Sequence, residues 1–180
     1  MDTYRVDVKS ILDVLGESIV AKDTLPLTDL DVGDEHFELR EPPAFEVALT
    51  NGGTGVVAMG SVVAETLATC ARCLAQFPLT IEAEIDGYYV EHGDTHNIPE
   101  EQEVGEIDGE GYVDILPAIM GALVLEAPFA PLHADDCAGI CPECGADMNT
   151  EPCGCASKPD PTNPFAALGE LVSGDSDAES

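Results

Sequence analysis

Seven cysteines and His133 are the residues of this chain whose types and spacing suggest chemistry. Four of the cysteines lie near the C-terminus, at Cys141, Cys144, Cys153 and Cys155. The first two are separated by two residues and followed by a glycine, and the second two follow after eight residues. Four thiolates at this spacing match the ligand set of a tetrahedral structural zinc ion. The surrounding segment is poor in apolar residues, so metal binding would supply the free energy that folds it.

The remaining cysteines, Cys70, Cys73 and Cys137, form a second set of ligands together with His133. His133 stands four residues before Cys137 and completes three thiolates and one imidazole, which suit a second tetrahedral zinc ion. This second site requires the chain after a predicted helix to return to the turn that holds Cys70 and Cys73. The sequence therefore predicts one zinc ion at the C-terminal set and a second at this set.

Spacing alone leaves other uses of these residues open. In one alternative, His133 and Cys137 join the ligands at Cys141 and Cys144, while Cys153 or Cys155 stays free. Closely spaced cysteine pairs are also typical of thiol–disulfide exchange, which needs a lowered thiol pKa. Arg72 supplies a cation within one pair, but the many carboxylates raise thiol pKa values when no metal is bound. A zinc or thiol redox protein is therefore the alternative function.

Catalytic signatures do not accompany the cysteines. Neither predicted set leaves an open coordination position for water or substrate, and no HExxH motif, nucleophile elbow, Walker loop or dinucleotide fingerprint is present. His92 and His96 have the spacing of one helix face, but Gly93 and Pro99 disfavour a helix there. We expect a non-enzymatic protein.

The charge of the chain restricts its partners. Six Lys and Arg stand against 36 Asp and Glu among 180 residues, giving a formal net charge of −30. Such a charge repels phosphate backbones and cannot supply the counterion release that drives non-specific binding, so extended direct contact with RNA is not expected. A strongly acidic surface favours cationic partners, although adaptation to high salt would produce the same excess of carboxylates.

Targeting signals are absent from the sequence pattern. The first residues lack the basic patch and apolar run of a secretory signal, and no window approaches the roughly 18 apolar residues of a membrane span. Cysteines in a chain without an export signal indicate metal ligation in preference to disulfides, because the cytosol keeps thiols reduced. The sequence predicts a cytoplasmic protein with no membrane segment.

The elements that would position the cysteines are mainly strands. We expect a strand over residues 4–8, a short helix over 10–15 and an acidic connection leading to 37–40. Alternation of apolar and polar residues then predicts a strand from Phe45, a hairpin turn at 51–53, a strand over 56–69 and a further strand over 77–86. These strands form an antiparallel meander, with Cys70 and Cys73 at the turn that joins two of them.

A loop and a helix complete the predicted domain. Residues 91–111 are rich in acidic and turn-forming residues and indicate a long loop that contains His92 and His96. Asp114 is a suitable N-cap for a helix through about Glu126. Its apolar stripe should cover the sheet and comprises Ile115, Leu116, Ile119, Met120, Leu123 and Val124.

The order of these motifs resembles the YceD family of large ribosomal RNA subunit accumulation proteins. The resemblance spans most of the chain and rests on residues 70–74, 127–128, 131–133, 139–145, 153–155 and 160–168. Many relatives that carry the full cysteine set have Cys where this chain has His133, a replacement that zinc tolerates and that supports His133 as a ligand. The resemblance implies a cytoplasmic ribosome-biogenesis role in accumulation or processing of the large-subunit (23S) ribosomal RNA. Family genes often neighbour one for a small, basic large-subunit ribosomal protein, and the charge of this chain suits shielding such a protein before assembly.

The predicted architecture is α+β, an antiparallel β-meander covered by a helix with a C-terminal zinc-ribbon-like segment. Residues 1–130 form the β-rich domain and 131–157 the zinc-binding segment. Residues 158–172 form a docking-helix segment, in which Asn163 is the N-cap and Pro164 the first helical position. Residues 173–180 form a disordered acidic tail.

Overall fold

The computed structural model describes residues 3–91, 104–151 and 153–155. Within these residues the protein is mostly β-sheet, with nine strands in one sheet and two helices. The elements in chain order are β1 Arg5–Asp7, α1 Lys9–Leu12, β2 Ser18–Thr24, β3 Asp29–Val32, β4 Glu35–Leu39, β5 Ala44–Asn51, β6 Val56–Thr69, β7 Gln76–Glu91, β8 Gly105–Ile107, β9 Tyr112–Asp114 and α2 Leu116–Glu126.

The meander predicted from alternation is present as β5, β6 and β7, which pair antiparallel in succession. The same edge of β6 then pairs with β4 beyond the end of β5, and β2 pairs with β5, so the sheet curls like a half barrel. On the other side, β7 pairs with β8, which is the one parallel pair among the described strands, and β9 and β1 follow. The long β6–β7 hairpin is therefore the central element of the sheet, with the other strands on either side of it.

The core lies on the inner face of this sheet. Along β7 the inward residues Ile81, Ala83 and Ile85 are buried, while the residues between them are exposed acidic side chains. Phe45, Val47 and Leu49 supply the matching inward row of β5 and are also buried. Period-two alternation therefore predicted these strands correctly, because one face of the sheet is buried and the other is solvated.

The region before β5 differs from the prediction. Instead of an acidic connection, residues 18–39 form the three strands β2, β3 and β4. Leu30, Val32 and Phe37 point inward and are buried, whereas Asp29, Asp31 and Glu38 point outward. The apolar alternation of these strands is short and lies among many acidic residues, so the sequence gives only a weak strand signal. The strands are stable because they pair with other strands.

The prediction of a loop over residues 91–111 is wrong for the last part of that range. Residues 105–107 form β8, and Ile107 pairs with Val113 of β9. Strands of three residues are too short to show a period, so β8 depends on pairing with β7 for its existence. His92 and His96 lie outside the described residues.

The helix α2 begins at Leu116, one residue later than an N-cap at Asp114 implies. Asp114 instead ends β9, and its Oδ1 accepts hydrogen bonds from the backbone N–H groups of Tyr4 at 2.9 Å and Leu116 at 3.1 Å. The helix buries Ile119 and Leu123 in the core, but the predicted stripe residue Val124 is exposed. No helix of the described residues is long and apolar enough to cross a membrane. The docking helix over 158–172 and the tail over 173–180 lie outside the described residues.

Candidate metal centre

The turn between β6 and β7 aims two thiols in one direction. The backbone N–H of Cys70 donates to the carbonyl oxygen of Ala75 at 2.9 Å, and the N–H of Leu74 donates to the carbonyl oxygen of Cys70 at 2.9 Å. Leu74 has a φ of 61°, and it is the one non-glycine residue with a positive φ among the described residues. This tight turn brings Cys73 back beside Cys70.

The turn at residues 141–146 has the same backbone hydrogen bonds. The N–H of Cys141 donates to the carbonyl oxygen of Ala146 at 2.8 Å, and the N–H of Gly145 donates to the carbonyl oxygen of Cys141 at 2.8 Å. Gly145 has a φ of 73° and stands where the first turn has Leu74. The two Cys-x-x-Cys turns are therefore structurally equivalent knuckles, although only the second carries the glycine that this backbone favours.

Four predicted ligands from two parts of the chain meet at the first knuckle. We call Cys70, Cys73, His133 and Cys137 the inner cluster; its three cysteines are buried. The Sγ atoms of Cys70 and Cys137 are 3.8 Å apart, and Nδ1 of His133 lies 3.4 Å from Sγ of both Cys70 and Cys73. Tetrahedral zinc, with bonds of about 2.3 Å to sulfur and about 2.0 Å to nitrogen, separates sulfur atoms by about 3.8 Å and sulfur from nitrogen by about 3.5 Å. These three distances of the inner cluster match the edge lengths of such a tetrahedron, and all four of its ligand atoms lie within 4.8 Å of one another.

The other four predicted ligands meet at the second knuckle. We call Cys141, Cys144, Cys153 and Cys155 the outer cluster; its four Sγ atoms all lie within 4.8 Å of one another. Cys141 is buried, Cys153 is half-buried, and Cys144 and Cys155 are exposed. The structure therefore groups His133 and Cys137 with the first knuckle, and the last cysteine pair with the second. Either group has the donor chemistry to hold a metal ion.

The clusters perturb their own thiols. Burial raises the pKa of the Cys70 thiol, but hydrogen bonds from His133 and from nearby backbone N–H groups outweigh it and lower that pKa to about 5. The backbone N–H of Cys144, followed by the Cys153 thiol, lowers the pKa of Cys141 to about 7. The thiols of Cys144 and Cys153 raise the pKa of Cys155 to about 12. Thiolates are favoured at the first cysteine of each knuckle, and a thiolate is the form that ligates metal.

Arg72, which lies between Cys70 and Cys73, forms hydrogen bonds to the segment that carries His133 and Cys137. Its Nη1 donates to the carbonyl oxygens of Asp135 at 3.0 Å and Cys137 at 3.1 Å, and its own carbonyl oxygen accepts from the N–H of Ile140 at 3.1 Å. The N–H of Ala71 also donates to the carbonyl oxygen of Pro131 at 2.8 Å. These bonds return the chain after α2 to the β6–β7 turn. The sequence indicates Arg72 only as a cation beside thiols and carries no pattern that would predict this positioning role.

Asn149 joins the two clusters and was not singled out by the sequence. It lies in the loop between Cys144 and Cys153, yet its Nδ2 donates to Sγ of Cys137 at 3.6 Å. Its Oδ1 accepts from the N–H of Ala138 at 2.8 Å. A lone asparagine in an acidic loop carries no pattern that would indicate such a contact.

Comparison with known proteins places this pair of clusters in a family. The family model described as "Large ribosomal RNA subunit accumulation protein YceD" matches residues 58–172, which include all eight cluster residues. The chain belongs to the YceD family. The match begins within β6, so β1 to β5 lie before the region that the YceD model covers.

Relatives of this YceD protein extend the likeness towards the N-terminus. An uncharacterized protein of Mycobacterium tuberculosis strain H37Rv is 30% identical over 164 residues, which are 91% of this chain and 70% of the relative. An uncharacterized protein of Mycobacterium leprae is 31% identical over 117 residues, covering 64% of this chain and 54% of that protein. No solved structure matches the chain.

Proposed function

We propose that this protein is a non-enzymatic ribosome-biogenesis factor that supports accumulation or processing of the large-subunit (23S) ribosomal RNA in the cytoplasm. The observation that carries the proposal is membership of the YceD family over residues 58–172, because that family is described by large ribosomal RNA subunit accumulation. In this proposal both clusters serve the fold, and the partner binds elsewhere on the acidic surface.

Both clusters are proposed to hold zinc. Cys70, Cys73, His133 and Cys137 would bind one ion and Cys141, Cys144, Cys153 and Cys155 the other. Four protein ligands at each site suit a structural zinc ion and leave no position for a substrate. Bound zinc would supply folding free energy to residues 131–157 as a zinc-ribbon-like unit, a role supported by the antiparallel bridge between Ile140 and Asp147.

A basic ribosomal protein of the large subunit is the proposed partner. Most cations of the described residues already have a partner within the chain: Arg5 pairs with Asp108, Lys22 with Glu46 at 2.7 Å, and Arg72 with backbone carbonyls. The remaining carboxylates therefore dominate the surface potential. They would attract a cationic protein and shield it from premature contact with RNA, and they repel phosphate directly.

Deletion of the gene in its host tests the function. We expect 23S ribosomal RNA to fall relative to 16S ribosomal RNA, and the wild-type gene to restore it. Purified zinc-loaded protein should bind basic large-subunit ribosomal proteins at physiological salt and leave precursor ribosomal RNA free. An unchanged 23S level, or tight RNA binding with no affinity for basic ribosomal proteins, contradicts the proposal.

Thiol redox activity is the second candidate, and one observation favours it. The pKa of Cys70 lowered to about 5 gives a thiolate at neutral pH, which thiol–disulfide exchange requires. Complete burial of Cys70 opposes that function, because a disulfide substrate must reach the sulfur. Catalysed reduction of oxidised glutathione by an added dithiol such as dithiothreitol, in the presence of the zinc-loaded protein, would support the redox function. Its loss in Cys70→Ser with an intact fold would assign it.

A further inference from the structure

The outer face of the β2–β5–β6–β7 sheet is a continuous surface that the proposed function leaves unassigned. Strand register makes Val20, Ala48 and Met59 direct neighbours across β2, β5 and β6, and Met59 is opposite Asp86 of β7. These residues alternate with the buried core residues, so they all point away from the core. The face is defined by pairing and does not depend on loop positions.

Apolar side chains form a strip on this face, which the polar row of Lys22, Glu46 and Ser61 interrupts. Val20 and Met59 each leave 63% of their surface exposed, and Val63 leaves 37% exposed. Val63 lies beside Ala44, which is also exposed. Val20 and Met59 lie on either side of the half-buried Ala48 of β5. Exposed large apolar side chains grouped in this way are typical of an interaction surface, whereas scattered single ones are ordinary.

Carboxylates line one side of this apolar strip. Glu82, Glu84 and Asp86 follow each other along the outer face of β7 and are exposed. Their partners on β6 are Val63, Ser61 and Met59, so the acidic row directly borders the strip. Lys22 is the one cation on the paired segments of β2, β5, β6 and β7, and Glu46 beside it neutralises it at 2.7 Å. The face therefore combines an interrupted apolar strip with uncompensated negative charge.

This combination selects one class of partner. Phosphate backbones and anionic lipid surfaces are repelled by the acidic row, and a second copy of the chain would bring a formal charge of −30 against the same sign. We propose that the outer face docks a basic amphipathic polypeptide segment, with its apolar side chains on Met59 and Val20 and its Lys or Arg side chains on the β7 row. The inference rests on the proposed function and gives the basic partner a binding surface.

Geometry restricts the docked segment further. Side chains on one face of a strand recur about every 6.5–7 Å, so the three β7 carboxylates are spaced to match cations at alternate positions of an extended segment. Adjacent strands lie about 4.8 Å apart, which puts Val20 about 15 Å and Met59 about 5 Å from the acidic row. Successive side chains of an extended segment point to opposite sides. A segment that lies along β6 and alternates cationic and apolar residues therefore directs its cations towards β7 and its apolar side chains towards Ala48 and Val20, whereas a purely cationic one leaves the apolar strip exposed.

Peptide binding to the zinc-loaded full chain tests the inference. The probe is a fluorescent peptide of alternating Lys and Val, measured by anisotropy at physiological salt, with polylysine of equal charge for comparison. The face variant combines Glu82→Gln, Glu84→Gln and Asp86→Asn. The matched control neutralises three exposed carboxylates of the β3–β4 region, by Asp34→Asn, Glu38→Gln and Glu41→Gln. A third variant, Met59→Gln, removes apolar contact without changing charge.

We expect the alternating peptide to bind more tightly than polylysine. Its affinity should fall about ten-fold in the face variant, since three exposed ion pairs are lost, and should change little in the control. Met59→Gln should weaken the alternating peptide and leave polylysine unchanged. Equal losses in the face and control variants would overturn the inference in favour of diffuse attraction, and a dimer abolished by Met59→Gln would overturn it in favour of self-association.

Failure of the inference can be separated from failure of the proposed function. In a strain that lacks the gene, absence of a 23S defect rejects the function itself. If the gene is required and the face variant restores the 23S ribosomal RNA level as fully as the wild-type gene does, only the docking surface is rejected.

Discussion

The side-chain amide of Asn149 donates a hydrogen bond to Sγ of Cys137 at 3.6 Å. Asn149 sits in the loop between the two cysteine pairs of the outer cluster, and Cys137 is a proposed ligand of the inner cluster. A donor to a ligating thiolate orients it and stabilises its negative charge. If metal at the outer cluster holds this loop, the two sites are coupled, and coupling of binding free energies is reciprocal.

The first prediction is that Asn149→Ala uncouples the sites. Cys144→Ser disables the outer cluster and should weaken cobalt binding at the inner cluster about five-fold or more, as typical coupling free energies imply. In the Asn149→Ala background the same change should have almost no further effect. Cobalt titration followed by absorption distinguishes the sites, because three thiolates with one imidazole and four thiolates give different ligand-field spectra.

Thr150→Ala is the matched control for this cycle. Thr150 lies in the same loop, and its hydroxyl donates a hydrogen bond to the carbonyl oxygen of Asp147 at 3.3 Å. It should leave inner-site affinity unchanged. If the inner cluster binds cobalt with equal affinity in the wild-type protein and in Cys144→Ser, the two sites are independent. If the wild-type protein takes up fewer than two cobalt ions, the proposal of two metal sites is contradicted.

The second prediction concerns metal content. Native mass spectrometry should find two zinc ions in the wild-type chain and one in Cys144→Ser. Cys70→Ser should also lose an ion and should unfold more readily, because Cys70 is completely buried beside the β6–β7 hairpin. Ala71→Ser alters an exposed residue of the same knuckle that has no ligand atom, and it should keep both ions. Full zinc content in Cys144→Ser would show that Cys144 is not a ligand.

The third prediction concerns acid. Folding lowers the thiol pKa to about 5 at Cys70 and to about 7 at Cys141. A lowered pKa favours the thiolate in the folded state, so its stabilisation is present above the ordinary thiol value of about 8.5 and is lost as pH falls through the folded value. Metal binding follows the same direction, because protons compete for the ligands.

We therefore expect zinc to leave the outer cluster at a higher pH than the inner cluster. A chromogenic zinc indicator during titration from about pH 7.5 to about pH 4 should record two separate releases. Cys144→Ser should lack the first release and keep the second. Release of both ions in one step at the lower pH contradicts the assignment.

The fourth prediction compares the two knuckles. Leu74 adopts a φ of 61° in the position that Gly145 occupies with 73°. A left-handed conformation costs a non-glycine residue about 1–2 kcal/mol, and Leu74 is largely exposed, so little packing opposes its removal. Leu74→Gly should raise the free energy of unfolding of the zinc-loaded protein by about 1 kcal/mol, and Gly145→Ala should lower it by a similar amount. Chemical denaturation measures both, and a loss of stability in Leu74→Gly would show that the side chain contributes more than the strain costs.

The fifth prediction concerns glycine in the sheet. A Cβ at Gly60 of β6 would lie 2.1 Å from the carbonyl oxygen of Glu46 and 2.7 Å from Cα of Val47, so the β5–β6 pairing would have to move. Gly60→Ala should lower the free energy of unfolding by about 2 kcal/mol or more. A Cβ added at Gly121 of α2 would meet nothing within 4 Å, and Gly121→Ala should raise the free energy of unfolding by about 0.5–1 kcal/mol. Thermal unfolding of the pair at constant zinc tests the contrast.

Several features could be predicted from local pattern. The strand Val56–Thr69 and the alternation along β7 follow from a sheet with one buried and one solvated face, a constraint that every second residue records. The eight cysteine and histidine residues of the clusters were recognisable from residue type and spacing. The N-terminal strands β2 to β4 and the short β8 were not, because their stability comes from pairing with distant segments.

The sequence by itself determined which residues can ligate metal and which strands form the central hairpin, because both follow from residue types and their spacing over a few positions. Only the tertiary structure decided how those ligands are divided, because Cys70 and Cys137 are 67 residues apart and meet through the return of the chain after α2. It likewise decided that Arg72 holds this return and that Asn149 links the clusters, and it assembled the outer face from four strands. Contacts between residues far apart in sequence depend on the packing of the whole sheet, and no local period encodes them.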